Sequence, residues 1–214
     1  MSSELQPALR DRLAARPEGL VFILTGAGIS RESGLPTFRD AGGIWQQYRF
    51  EDLASPRGFQ RDPRLVHDFY NLRRRDAIAA QPNAAHLALA RLENVLRTRL
   101  LLVTQNIDDL HERAGSTDVV HMHGEIRKVR CLQAGHILPW DADADPDSRC
   151  PACRSTRRLS TGGSALRPHV VWFGEMPLEL PRITRALEDT AVFCSIGTSG
   201  TVEPAASFVA TAHA

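Results

Sequence analysis

Apolar residues are distributed along this chain in two patterns. Short unbroken runs occur at Val21 to Thr25, Leu100 to Thr104, Val119 to Met122, His169 to Phe173 and Val192 to Ile196. Such runs read as strands buried on both faces. Between them, apolar positions recur at helical spacing. Pro82 to Leu96 carries Ala, Leu and Val on this period, and Pro63 to Ala80 places Leu65, Val66, Phe69, Leu72 and Ile78 on one side. A shorter helix is predicted over Pro181 to Asp189. Strands alternating with helices predict an α/β fold built on a doubly wound, Rossmann-like parallel sheet.

Two stretches depart from that alternation. Ala41 to Arg75 is long and mostly helical, and Arg127 to Arg167 has little periodicity. The second contains closely spaced cysteines and an acidic run, Asp141 to Asp145, which reads most simply as a solvated loop. Both read as insertions. The expected division is a Rossmann-like nucleotide-binding domain of residues 1–40, 76–126 and 168–214, with a smaller helical and zinc-ribbon domain of residues 41–75 and 127–167. The cleft between them is the expected ligand site.

Composition narrows the class only a little. A chain of 214 residues with 43% hydrophobic content can bury a substantial core. A net charge of +1 argues against a nucleic-acid-binding surface. The polar, arginine-bearing stretch Met1 to Pro17 does not read as a signal peptide, and no apolar run approaches the ~20 residues of a membrane span. Four unevenly spaced cysteines do not form a secreted disulfide framework. A monomeric cytoplasmic enzyme is the expectation.

The candidate chemistry begins at Thr25 to Asp40. The first strand runs into Gly26-Ala27-Gly28 and a helix start, an arrangement that lets backbone N–H groups approach a phosphate. Gly34-Leu35-Pro36 then stops the helix, and Thr37 to Asp40 places an aromatic and a cation in a loop that reads as a lid. His123 ends the strand-like run from Val119 and precedes Gly124, at the edge where open α/β sheets place ligands. It is the candidate general base. A structural histidine, or a metal pair with His121, are the competing readings.

Gln105 and Asn106 follow the second strand and offer amides suited to ribose hydroxyls and a carboxamide. Asp108 and Asp109 also read as helix caps ahead of Leu110. Tyr70 and Arg73, three residues apart on a helix, can together hold a carboxylate, although Arg73, Arg74 and Arg75 also read as a solvated face. Cys131, Cys150 and Cys153 have zinc-knuckle spacing. Position 134 is Ala, so the fourth ligand would be His136 or water, unless the metal is lost. Cys194, inside a strand, reads as core.

Taken in order, the segment from Thr25 to Asp40, Thr104 to Asp108, His123-Gly124, Val171 to Glu175 and Gly197 to Ser199 closely resemble the signature of the sirtuins, NAD-dependent protein deacylases. Among them the chain looks most like bacterial class III members, which remove acidic acyl groups as well as acetyl. The resemblance implies NAD contacts from Gly26, Ala27, Gly28, Ile29, Ser30, Phe38, Arg39, Trp45, Gln105, Asn106, Ile107, Asp108, Gly197, Thr198 and Ser199. It implies catalytic roles for His123, Asn106 and Gln105, with Asp108 accepting from the nicotinamide amide. Tyr70, Arg73 and the small Ala41 would receive the acyl group, and Val171, Trp172, Phe173 and Gly174 would hold the acylated lysine of a protein substrate by strand addition. Zinc would be structural. The products would be free lysine, nicotinamide and O-acyl-ADP-ribose.

The family usually continues past its Gly-Thr-Ser motif through a further strand bearing an Asn near the adenine ribose, which this sequence lacks. Weak NAD binding is therefore an expectation. Protein mono-ADP-ribosyl transfer and a non-enzymatic acyl-lysine binding module are the alternatives.

Overall fold

A computed structural model describes residues 5–37, 49–153 and 165–212. Four strands form a parallel sheet: β1 (Leu20–Thr25), β2 (Leu100–Thr104), β3 (Val119–His121) and β7 (Thr190–Ile196), in the order β3-β2-β1-β7. β1 and β2 pair in register from Val21↔Leu100 to Thr25↔Thr104, so their carboxyl ends finish at one level. Every residue of β2 is buried, as its unbroken apolar run predicts.

One face of this sheet packs Phe22, Leu24, Leu101 and Val103 against Ile183 and Leu187 of the helix Leu180–Glu188. The other face packs Val21, Ile23 and Leu102 against Leu89 of the helix Ala84–Leu96. That second helix begins where Asn83 accepts from the Ala85 N–H and His86 Nδ1 accepts from the Asn83 N–H, a reciprocal cap. No helix among the described residues is long and apolar enough to cross a membrane.

A second sheet was not visible in the periodicity. β4 (Gly124–Cys131) pairs antiparallel with β5 (Ile137–Pro139) on one side and β6 (Leu166–Val170) on the other. The strand expected over His169 to Phe173 therefore lies over Leu166–Val170 and belongs to this antiparallel sheet, not to the parallel one. Its apolar signal is short because Arg167, Pro168 and His169 fill the middle of a fully buried strand. The expected boundaries at 126/127 and 167/168 fall inside β4 and β6.

Against this sheet lies the helix Pro63–Ala79, preceded by the short helices Phe50–Leu53 and Pro56–Arg61. Its core contains Val66, Phe69 and Tyr70 with Ile126, Val170 and Trp172.

The acidic run is a loop with its aspartates exposed, as expected, but it is anchored to the helix at the buried Ala144. Asn71 Nδ2 donates to the Ala144 carbonyl at 2.8 Å, and Asn71 Oδ1 accepts from the Ala144 N–H at 2.9 Å. Arg74, only 1% exposed, donates to the carbonyls of Ile126 and Ala142 and to the Asn71 side chain. Asp141 pairs with Arg127 and Asp143 with Arg75. A buried guanidinium needs acceptors, and the loop's backbone supplies them.

Gly124 makes the turn from β3 into β4 possible. Its φ is +81°, and a Cβ there would overlap the His169 carbonyl oxygen. Gly124→Ala should therefore lower stability by about 1–3 kcal/mol, read as a fall of several degrees in Tm. An unchanged melting temperature would show that the turn relaxes freely.

Candidate active site

At the carboxyl edge of the parallel sheet, three glycines interlock. The Gly26 N–H donates to Ile196 O at 3.1 Å, and the Gly28 N–H donates to Gly197 O at 2.8 Å. A Cβ on Gly26 would stand 2.8 Å from that same carbonyl oxygen, and one on Gly28 would stand 2.8 Å from Gly197 Cα. Gly197 itself has φ +66°. The first turn of the chain after β1 is a 3-10 helix, Ala27–Ser33, closed by Gly34 in the left-handed conformation, as the Gly-Leu-Pro punctuation predicts.

These glycines form one wall of a cleft of about 460 Å³. The structure brings Ala27, Gln105, Asn106, Ile107, His123, Thr198 and Ser199 into the same cleft, and Tyr70, Arg73 and Val171 to Gly174 line it from the other side. Ile29, Ser30 and Asp108 lie buried behind it. Phe38, Arg39, Ala41 and Trp45 lie outside the described residues. Sequence reasoning assigned no site role to Phe69, Pro177 or Glu203, which carried no motif of their own, nor to Glu175, the last residue of the Val171 to Glu175 block; all four line the cleft.

His121 ends β3 and His123 lies in the turn after it, and their pKa values shift in opposite directions. His121 Nδ1 faces the Asn106 carbonyl at 3.2 Å, and its Nε2 faces Glu112 at 2.6 Å. Both partners are acceptors, so both nitrogens donate. Burial opposes the charge, but the Glu112 hydrogen bond and charge prevail and raise its pKa. His123 faces only one acceptor, the Gln105 carbonyl, at 3.0 Å from Nδ1. Burial lowers its pKa against the modest support of that carbonyl. The ring is neutral at pH 7, with the proton on Nδ1 and the lone pair on Nε2. This removes the metal-pair reading: His121 has no nitrogen to give.

Behind the cleft, Ser30 organises Asn106. The buried His86 ring, its pKa lowered to about 4 by burial, accepts at Nδ1 and so carries its proton on Nε2, which faces Ser30 Oγ at 3.5 Å. Asn106 Nδ2 also donates to Ser30 Oγ, at 3.1 Å, and Ser30 donates to Asp108 at 3.1 Å. Asp108 also accepts from the Leu110 N–H. The N-cap position is Asp109, whose side chain makes no capping bond; Asp108, one residue earlier, takes the first helical N–H instead. With one oxygen on Ser30 and the other on Leu110, it serves the frame behind the cleft. Burial raises its pKa in spite of these two donors. Gln105 ties the edge together, donating from its side chain to Thr198 Oγ1 at 2.9 Å.

Tyr70 and Arg73 do share a direction. Trp172 Nε1 donates to the Tyr70 hydroxyl at 2.9 Å, which leaves the phenol hydrogen to donate elsewhere. Burial raises the phenol pKa, so it stays protonated. The amides of Val171, Trp172 and Phe173 are occupied by His123 O, the Glu175 carboxylate and Ala54 O.

The cysteines meet on the second sheet. The ligand atoms of Cys131, His136, Cys150 and Cys153 all lie within 4.8 Å of one another. The Cys131–Cys153 sulfurs are 3.8 Å apart, and Cys150 Sγ is 3.6 Å from His136 Nδ1. Tetrahedral zinc with Zn–S of about 2.3 Å and Zn–N of about 2.0–2.1 Å requires roughly 3.8 and 3.6 Å for these pairs. No disulfide links the cysteines. Burial opposes a Cys150 thiolate, but hydrogen bonds from Cys153, His136 and the backbone bring its pKa down to about 6. The turn that follows β4, held by Gly135 N to Cys131 O, places His136 where Ala134 offers no ligand.

The sequence model of the Sir2 family matches residues 26–204. The chain belongs to the Sir2 family. It is 54% identical over 215 residues to the NAD-dependent protein deacylase of Escherichia coli strain K12, covering 96% of this chain and 75% of that relative. It is 55% identical over 195 residues to the protein of the same name in Yersinia pseudotuberculosis, covering 90% of this chain and 68% of the relative. Among solved structures, a Sir2 homologue in complex with NAD superposes with a TM-score of 0.82 at 42% identity, covering 99% of this chain and 80% of that one. A Sir2 homologue variant bound to ADP-ribose gives a TM-score of 0.84 at 41% identity, covering 100% and 81%.

Membership of the Sir2 family gives the four-ligand cluster a direct test. The purified chain should carry about one zinc per molecule. His136→Ala should weaken zinc affinity by at least the roughly 10–100-fold that follows loss of an outer partner, with a lower Tm and an unchanged acyl preference. Metal analysis and competitive chelation measure this. Equal zinc retention in the variant would remove His136 from the site.

Proposed function

We propose that this chain is an NAD-dependent protein-lysine deacylase acting on both acetyl and acidic acyl groups. The observation that carries this reading is His123, neutral, with Nδ1 held by the Gln105 carbonyl and Nε2 left as the proton acceptor in the glycine-walled cleft. The naming of relatives at 54% identity as NAD-dependent protein deacylases supports it, and so does a Sir2 structure holding a deacetylated peptide with acetyl ADP-ribose.

The cleft fits NAD in its chemistry. Gly26, Gly28 and Gly197 pack backbone against backbone to form its wall, and Gln105, Asn106, Thr198 and Ser199 bring amides and hydroxyls suited to phosphates and riboses to the same cleft. Gly26 to Ser30, Gln105 to Asp108 and Gly197 to Ser199 are the residues proposed to hold it. When bound, NAD supplies the ribose carbon and hydroxyls that receive the acyl group as nicotinamide departs.

The residues of the chain divide the remaining work. His123 Nε2 takes a proton from a hydroxyl presented in the cleft and later returns it. Asn106, oriented by Ser30, and Gln105, oriented by Thr198, position polar groups at the same edge. The substrate lysine enters between Tyr70, Arg73 and the Val171 to Gly174 segment on one side and the edge of the parallel sheet on the other. Because three amides of the Val171 to Gly174 segment bond within the chain, a docked peptide meets it chiefly through carbonyl acceptors. Arg73 and the Tyr70 hydroxyl hold the terminal carboxylate of succinyl- or malonyl-lysine. Zinc stands apart from the cleft and stabilises the second sheet.

His123→Ala should reduce kcat by about 10²–10⁴ while leaving Tm and peptide binding nearly unchanged. In the parent chain the rate should fall only as pH drops through the His123 pKa, which burial places below the usual histidine value of 6.5. Above it the base is already deprotonated. Near-parent turnover in the variant, or an acid limb centred above 6.5, would remove His123 from this role.

A further inference from the structure

Arg73 already holds a carboxylate. Its Nη2 pairs with Asp76 Oδ2 at 2.8 Å, three residues along the same helix. Arg73 faces the cleft and its side chain is 18% exposed, whereas Asp76 lies outside the cleft lining and is 37% exposed. The guanidinium also sits 6.0 Å from the Phe69 ring centroid, and its buried Nε finds no acceptor among the described residues. Arg73 thus has an aromatic neighbour besides Asp76, and among the described residues its Nε has no acceptor.

We propose that Asp76 is a built-in competitor for the acyl carboxylate and so sets how strongly the enzyme prefers acidic acyl groups over acetyl. The inference rests on the reading of Arg73 as the reader of that carboxylate. A substrate carboxylate arriving at Arg73 meets a guanidinium whose charge is partly neutralised and one of whose donors is taken. It must also lie close to the Asp76 carboxylate, a like charge. Both effects weaken binding of succinyl-lysine. Neither touches acetyl-lysine, which carries no charge at that end. Asp76 is open enough to water to release Arg73, so competition narrows the preference without abolishing it. The geometry therefore keeps one pocket serviceable for neutral and acidic acyl chains.

The test is a cycle of four proteins: the parent chain, Asp76→Asn, Arg73→Met and the double variant. Each is assayed with NAD and with succinyl- and acetyl-lysine peptides of one sequence, with thermal melts confirming the fold. Asp76→Asn should raise the succinyl-to-acetyl ratio of kcat/KM by about two- to fivefold, the scale of a partly exposed ion pair. The gain should appear as a lower KM for the succinyl peptide, with kcat nearly constant. Asp76→Ala should move the ratio in the same direction. In the Arg73→Met background, Asp76→Asn should raise the ratio by less than in the parent, since only the direct like-charge repulsion is then relieved; an equal gain in both backgrounds would overturn the competition for Arg73. A ratio that stays constant or falls in Asp76→Asn overturns the proposal, the fall meaning that Asp76 positions Arg73 instead of competing for it. If Arg73→Met itself leaves the ratio intact, the carboxylate-reading role of Arg73 fails, and the competitor role fails with it.

Discussion

At the carboxyl edge of the parallel sheet, main chain meets main chain with no side chain between. The Gly28 N–H reaches Gly197 O at 2.8 Å because neither residue has a Cβ to hold them apart. That contact brings the ends of β1 and β7 to one level. The Gln105 N–H donates to Thr25 O at 2.9 Å and adds the end of β2. The Gln105 carbonyl then takes the His123 ring, and the His123 carbonyl accepts from the Val171 N–H at 2.9 Å. One series of short polar contacts thus runs from the glycine wall, through His123, the proposed general base, to the segment proposed to meet the peptide. A shift at Gly28 would reach all of them.

The same region shows how neighbours, not residue type, decide charge. His121 and His123 are two positions apart, yet Glu112 makes one a cation and a lone carbonyl leaves the other neutral. Three consecutive arginines divide in the same manner. Arg74 is buried among carbonyls, Arg75 pairs with Asp143 at the surface, and Arg73 turns to the cleft beside Asp76. A base needs the neutral partner and a carboxylate reader needs the cleft-facing cation. In each case the useful member is the one whose neighbours leave a group available.

Much of the fold was legible because parallel strands buried on both faces leave unbroken apolar runs, and β2 was read to its last residue. The glycine turn was legible from its place after a buried strand, whereas His123 and the Tyr70–Arg73 pair were singled out by the resemblance to the sirtuins, since a lone histidine and an arginine-rich helix face otherwise read as structural. The second sheet was not legible. β4 reads Gly-Glu-Ile-Arg-Lys-Val-Arg-Cys, and a register irregularity between Gly124 and Val129 interrupts its alternation. The middle of β6 is Arg-Pro-His, buried by contacts its composition does not announce: Arg167 is paired with Glu175 and stacked over Trp172, and His169 meets Arg130 from 39 residues away. The fate of the acidic run was hidden for the same reason, since Asn71 and Arg74 reach it across about seventy residues. His136 could be named as a zinc ligand but not chosen until the turn after β4 was known.

The central claim is that this cleft moves an acyl group from lysine to NAD-derived ribose. Product analysis by mass spectrometry, on this chain with NAD and a succinyl-lysine peptide, tests it most directly. The account predicts nicotinamide, unmodified lysine peptide and O-succinyl-ADP-ribose in equal amounts. It would be contradicted by ADP-ribose attached to peptide or protein, or by no consumption of NAD while the acylated peptide still binds.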